Sequence, residues 1–176
     1  IIMVFKPENN ARFREAVDIY CTDKSQGIIA YGEINTWDVS EINDMSKLFE
    51  NKTKFNEDIG SWDVSNVVTM EAMFYGAMYF NKPLESWNTS KVKNMNDMFC
   101  YALCFNKPLD NWNTSNVSTM QSMFCNAQSF NQPLNSWNTS NVQDMNSMFY
   151  GTNSFNQPLD SWNTSNVKNM CAMFYG

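Results

Sequence analysis

The chain has 176 residues and a net charge of −6 at pH 7; that acidic balance, with no basic cluster, argues against a nucleic-acid groove. Hydrophobic residues make up 43% and aromatic residues 15%, too many for a disordered chain, and no apolar run reaches the length of a bilayer-spanning helix. There is no histidine, which removes Ser-His-Asp and Cys-His nucleophile arrangements and any His-ligated metal.

The chain opens on Ile1-Ile2-Met3-Val4-Phe5, without the basic stretch and small-residue cleavage site of a signal peptide. Residues 1–36 then differ from everything after them. Phe13, Ala16, Val17, Tyr20 and Cys21 form a helical stripe within Ala11 to Asp23. A second helical segment is expected over Lys24 to Tyr31, with Gly32 as its stop. This segment reads as an N-terminal helical cap, because stacked arrays need their end side chains covered.

From residue 37 the chain is periodic. Trp37, Trp62, Trp87, Trp112, Trp137 and Trp162 recur at one constant spacing, and Met45, Met70, Met95, Met120, Met145 and Met170 keep the same beat. The repeat reads W-(D/N)-(V/T)-S-x-(V/I)-x-x-M-x-x-(M/L)-F, about five freer positions, then F-N-x-(P/D)-(L/I). Residues 37–176 thus form six coils without insertion or deletion, the last one incomplete. Short units cannot each bury a core, so they must stack. Gly176 falls where other coils continue into Phe-Asn-x-Pro-Leu. The expectation is that the chain is excised from a longer array or associates end to end.

Within residues 84–108, Leu84, Trp87 and Thr89 are spaced like the apolar positions of a leucine-rich-repeat strand. Trp87 and Thr89 then point inward, while Ser86, Asn88 and Ser90 point outward. Val92, Met95, Met98 and Phe99 follow at helical spacing, so a short helix or 3₁₀ turn is expected to pack back on the core. Phe105-Asn106-Lys107-Pro108 is the return segment, where proline suits a turn. The predicted fold is a leucine-rich-repeat-like solenoid, with one short parallel β-strand and one short helix or 3₁₀ turn per coil.

Trp62-Asp63-Val64-Ser65-Asn66-Val67 and Phe130-Asn131-Gln132-Pro133-Leu134 resemble the 25-residue repeat of the BspA-like leucine-rich-repeat family. Residues around Phe5-Lys6-Pro7, Glu15-Ala16-Val17 and Tyr31-Gly32 resemble the segment that precedes those repeats. The resemblance implies a solenoid with surface, adhesion or recognition roles, hence a surface or extracellular location. It brings no catalytic residues.

No P-loop or G-x-G-x-x-G occurs, and carboxylates such as Glu57 and Asp58, or Asp97 and Asp110, are not brought together by any motif. No enzyme, cofactor or metal site is expected. The 13 methionines recur at core positions, which fits packing better than copper or haem ligation. Tryptophan N–H groups need partners, which a neighbouring strand or Asn would supply. Five cysteines, Cys21, Cys100, Cys104, Cys125 and Cys171, show neither zinc spacing nor a regular framework and read as free thiols. Cys100 and Cys125 share a repeat position and are potential neighbours. Asn88-Thr89-Ser90 and its equivalents match N-x-(S/T), a match that the repetition itself produces.

Two surfaces are candidates for recognition. Positions 13 to 17 after each Trp vary most and are most apolar in coils two and three. Tyr75, Met78, Tyr79, Tyr101 and Leu103 therefore form a candidate partner patch. Asp63, Asn88, Asn113, Asn138 and Asn163 alternate outward and form a candidate polar ladder, with Asn side chains expected to bond along the stack. The favoured reading is a non-enzymatic recognition or adhesion module for a protein or cell-surface ligand. The alternatives are a carbohydrate- or ice-type binder using the Asn/Ser/Thr ladder, or a self-assembling structural element.

Overall fold

The N-terminal stripe forms two helices, and their boundaries follow from capping. A computed structural model describes residues 4–176; the Ile1-Ile2-Met3 start lies outside the described residues. Helix α1 spans Asn10–Thr22 and is opened by the Asn9 side chain, which accepts from Arg12 N–H. Helix α2 spans Lys24–Tyr31, opened in the same way by Asp23 and closed at Gly32, whose φ is 75°. A 3₁₀ turn, Ile34–Thr36, leads into the first coil. Phe13, Ala16, Val17 and Tyr20 of α1 are buried, and the Phe13 ring meets Trp37 and Trp62 edge-on at 6.4 and 5.4 Å. The helices thereby cover the first coil's aromatic face.

The coils themselves correct the leucine-rich-repeat expectation. Among the described residues there is no β-strand, no sheet and no helix after residue 36. Neighbouring coils share one isolated parallel bridge each, running Asp44 to Thr69, Asn94, Thr119, Asp144 and Asn169. Leu84, Trp87 and Thr89 do point inward, each at most 3% exposed. Their backbone, however, makes local turns: Trp87 N–H bonds Leu84 O and Val92 N–H bonds Thr89 O. Val92, Met95, Met98 and Phe99 are equally buried, but their stretch is not helical, because Asp97 sits at φ 56°. A left-handed residue cannot continue a right-handed helix.

That left-handed residue recurs. Lys47, Ala72, Asp97, Ser122, Ser147 and Ala172 all have positive φ, as do Asn51, Gly76, Tyr101, Asn126 and Gly151 four positions later in the first five coils. Alternating the backbone in this way aims every second N–H in one direction. In coil three the N–H groups of Met95, Asp97, Phe99 and Tyr101 donate to the carbonyls of Thr119, Gln121, Met123 and Cys125 in coil four. The same four bonds recur at each junction from coil one to coil six. Four peptide dipoles per coil therefore point the same way along the stack. Coil one turns its carbonyls toward the N-terminal end. There Arg14 of α1 donates to Ser46 O and reaches Asp44 Oδ1 and Ser46 Oγ at 3.2 Å.

Inside the stack, side chains form continuous columns. Phe49, Phe74, Phe99, Phe124, Phe149 and Phe174 stack at 5.4–5.7 Å. Phe55, Phe80, Phe105, Phe130 and Phe155 form a second column at 5.7–6.1 Å. Trp87, Trp112, Trp137 and Trp162 lie nearly parallel at 6.3–6.4 Å. Five of the six tryptophans are buried, while Trp162 in the last coil is only partly so. Each indole from Trp62 onward donates to a carbonyl of the turn before the preceding coil's Trp, as Trp112 Nε1 does to Leu84 O at 2.9 Å. The partner is therefore a turn, neither a strand nor an Asn. Among the described residues no buried side-chain N or O lacks a partner.

Two substitutions probe this construction. Trp112→Ala removes a column member and one of the two donors to Leu84 O, and should destabilise by about 3–5 kcal/mol; an unchanged denaturation midpoint would contradict the burial. Arg14→Met should lower stability by about 1–2 kcal/mol, the scale of hydrogen bonds from a charged donor. Arg14→Lys should recover part of it. Urea titration with an unchanged slope reads both.

Candidate interaction surface

The variable segment after each Phe is built on a fixed inward anchor. Ala77, Ala102 and Ala127 are fully buried, and Thr152, 6% exposed, keeps the place by donating from its hydroxyl to Phe124 O at 2.6 Å. Around these anchors the neighbours turn outward. In coils two and three they are apolar: Met78 is 39% exposed, Tyr79 60% and Tyr101 42%. Tyr75 and Leu103 are half-buried beside them. The structure brings these five residues together. Tyr75 and Tyr101 meet edge-on at 5.9 Å, and Cys104 N–H donates to Met78 O at 3.0 Å, which holds the two segments side by side. In coils four and five the same positions carry Asn126, Gln128, Asn153 and Ser154, so the apolar surface ends there.

Tyr101 stands out from its equivalents. Its φ is 58°, in the left-handed region, where the other coils place Asn51, Gly76, Asn126 and Gly151. Asn and Gly enter this region easily, whereas a bulky aromatic does so at a cost of about 1–2 kcal/mol.

The candidate polar row does lie outside: Asp63, Asn88, Asn113, Asn138 and Asn163 are all exposed. Its oxygens do not bond along the stack as expected. Each accepts from the main-chain N–H two residues on, at 3.0–3.1 Å, as Asn113 does from Ser115. Each therefore closes its own Asx turn. A true ladder exists elsewhere and was missed. Asn56, Asn81, Asn106 and Asn131 each accept from the main-chain N–H of the equivalent Asn one coil ahead, at 2.8–3.0 Å. The constant Asn of Phe-Asn-x-Pro was its only sequence signal.

No motif marks the cavity of about 310 Å³ between the helices and coil one, lined by Tyr20, Cys21, Lys24, Lys52 and Phe55 among others. Two of its cations are already paired, Lys24 with Glu57 at 2.8 Å and Lys52 with Asp18 at 2.7 Å. Burial pushes the Cys21 thiol up to about 12, so it is a poor nucleophile there. Among the described residues no helix is long and apolar enough to cross a membrane.

A family model described as "Mycoplasma protein of unknown function, DUF285" matches residues 20–121 and again residues 91–176. The chain belongs to this family. Two overlapping matches are what a tandem array produces when one model fits several coils in turn. No curated protein and no solved structure matches the chain. The DUF285 assignment covers all the coils and leaves their role to be argued from the surface.

Acid should act through the Asx turns of the first coils. The Ser65 hydroxyl and main-chain N–H hold the Asp63 carboxyl below the usual range. A depressed folded-state value means that this contribution is present above about pH 4 and lost as pH falls through the lower folded value. Asn performs the same turn in later coils. Asp63→Asn should therefore leave neutral stability unchanged and make the acid limb of a stability–pH curve shallower; an unaltered limb would show that this turn is not titrating.

Proposed function

We propose that this DUF285 chain is a non-enzymatic recognition module that binds a protein partner through the aromatic patch of coils two and three. Tyr101 carries the reading. A left-handed backbone is occupied by Asn or Gly in four of the other coils, yet here it holds an exposed aromatic ring. Strain maintained where a cheaper residue would serve points to a functional demand on that side chain. Exposed tyrosines with neighbouring Met and Leu have the composition of the apolar centre of a protein interface. The stacked coils hold the patch on a rigid support, so little ordering is needed on binding. Display at a cell surface follows from the sequence resemblance and forms part of the proposal.

A second reading, a repeating polar ligand on the Asp63–Asn163 row, is favoured by the row's regular exposure. It is weakened by the engagement of every row oxygen in an Asx turn. The test screens immobilised protein and glycan arrays with the wild type, a Tyr79→Ser/Tyr101→Gly variant and an Asn113→Lys/Asn138→Lys variant. The patch variant should lose protein binding by about tenfold or more, the scale of an interface hot spot. Tyr101→Gly alone should keep or raise stability by up to about 1 kcal/mol, since Gly relieves the strain. Binding lost only in the lysine variant would move the site to the polar row.

A further inference from the structure

We propose that Cys100 and Cys125 form a redox-active dithiol that closes to a disulfide on reaction with a hydroperoxide. The two occupy the same repeat position in coils three and four, and the backbone holds them in register. Phe99 N–H donates to Met123 O and Tyr101 N–H donates to Cys125 O, both at 2.8 Å. Hydrogen-bonded neighbours of this kind lie about 5 Å apart, inside the Cα separation open to a disulfide. Sharing one repeat position, the two side chains leave adjacent coils side by side, and Asn126 Nδ2 lies 3.3 Å from the Cys125 sulfur.

The environments of the two sulfurs differ in the way such chemistry requires. Cys125 receives donors from Cys100 and Asn126, which hold its thiol below the usual range, and it is half-buried and reachable. Cys100 is 4% exposed, and its bond to Cys125 together with burial pushes its thiol up. One sulfur is therefore set up as the nucleophile and the other as a protonated resolving group. Among the described residues no cluster of three or more His, Cys, Asp or Glu is placed to hold a metal, so the pair stands as a dithiol.

The chemistry balances in two steps. The Cys125 thiolate attacks the terminal oxygen of the hydroperoxide, the O–O bond breaks, and the alkoxide or hydroxide leaves and takes up a proton. Sulfur has lost two electrons and carries an S–OH. Cys100 then attacks that sulfur, its proton passes to the departing hydroxide, water leaves and the S–S bond forms. Two thiols and one hydroperoxide give one disulfide, one alcohol or water from the peroxide, and one water.

The test treats the folded chain with hydrogen peroxide, alkylates it and maps its peptides by mass spectrometry. Free thiols should fall from five to three, with a 100–125 cross-linked peptide that reductant releases. Cys104→Ser should behave as the wild type. Cys100→Ser should trap Cys125 as a sulfenic acid reactive toward a 1,3-diketone. The position accepts Glu50, Tyr75 and Tyr150 elsewhere, so these variants are expected to fold. Exposed Cys171 is the internal reference, and the disulfide between 100 and 125 should form before Cys171 is consumed, because Cys100 is held beside Cys125 to resolve it. A bridge through Cys104, loss of the Cys171 thiol ahead of the 100–125 bridge, or five alkylated thiols after treatment would each overturn the proposal.

Discussion

The structure rests on a run of one-directional hydrogen bonding between coils. A β-strand alternates its N–H groups to left and right, so it bonds to neighbours on both sides at once. Here left-handed residues such as Asp97 and Tyr101 rotate alternate peptides so that four N–H groups of each coil face the next coil and four carbonyls face the previous one. Everything else depends on that spacing. It sets the distance at which the Phe and Trp rings meet, and it keeps equivalent side chains, Cys100 and Cys125 among them, directly adjacent.

Aligned peptides create an electrostatic polarity that the N-terminal segment meets. Carbonyls gathered at one end of a stack carry partial negative charge, and Arg14 is placed against Ser46 O and Asp44. The helices thus serve the stack twice. Phe13 covers the Trp37 and Trp62 rings, and Arg14 pairs one of the carbonyls, Ser46 O. A purely apolar cover there would have left Ser46 O desolvated and unpaired, which is the more expensive error.

The sequence made much of this legible, in an uneven way. The constant beat and the inward positions followed from spacing alone, because burial is a matter of which residue recurs where. The helices of residues 10–31 were legible because Phe13, Ala16, Val17 and Tyr20 form a helical stripe and Gly32 is a local stop. The backbone path of the coils was not. Leu84, Trp87 and Thr89 point inward in a run of turns just as they would in a strand, and Met95, Met98 and Phe99 match a helical stripe. Side-chain periodicity does not report the sign of φ, and Lys47, Ala72 and Ser122 are not residues that advertise a left-handed conformation. The patch was legible because it is a departure from the repeat. The Asn56–Asn131 ladder was overlooked because nothing in a constant Asn tells whether its oxygen serves its own turn or the next coil.

The indole bond has a consequence for how such a chain can change. Trp112 Nε1 reaches back to Leu84 O, in the turn before Trp87, and main-chain bonds tie each coil to the one that follows, as Met95 N–H to Thr119 O, and to the one before, as Cys104 N–H to Met78 O. Every tie therefore joins one repeat position to another at a fixed offset close to one coil length. Excising or duplicating one whole coil restores each tie with an equivalent partner, whereas gaining or losing a single residue misaligns all of them at once. Array length is thus a quantity the fold leaves free, adjustable in whole coils, while the register inside each coil is fixed. A patch confined to two coils can consequently be carried nearer to, or farther from, the helical end without altering its own chemistry.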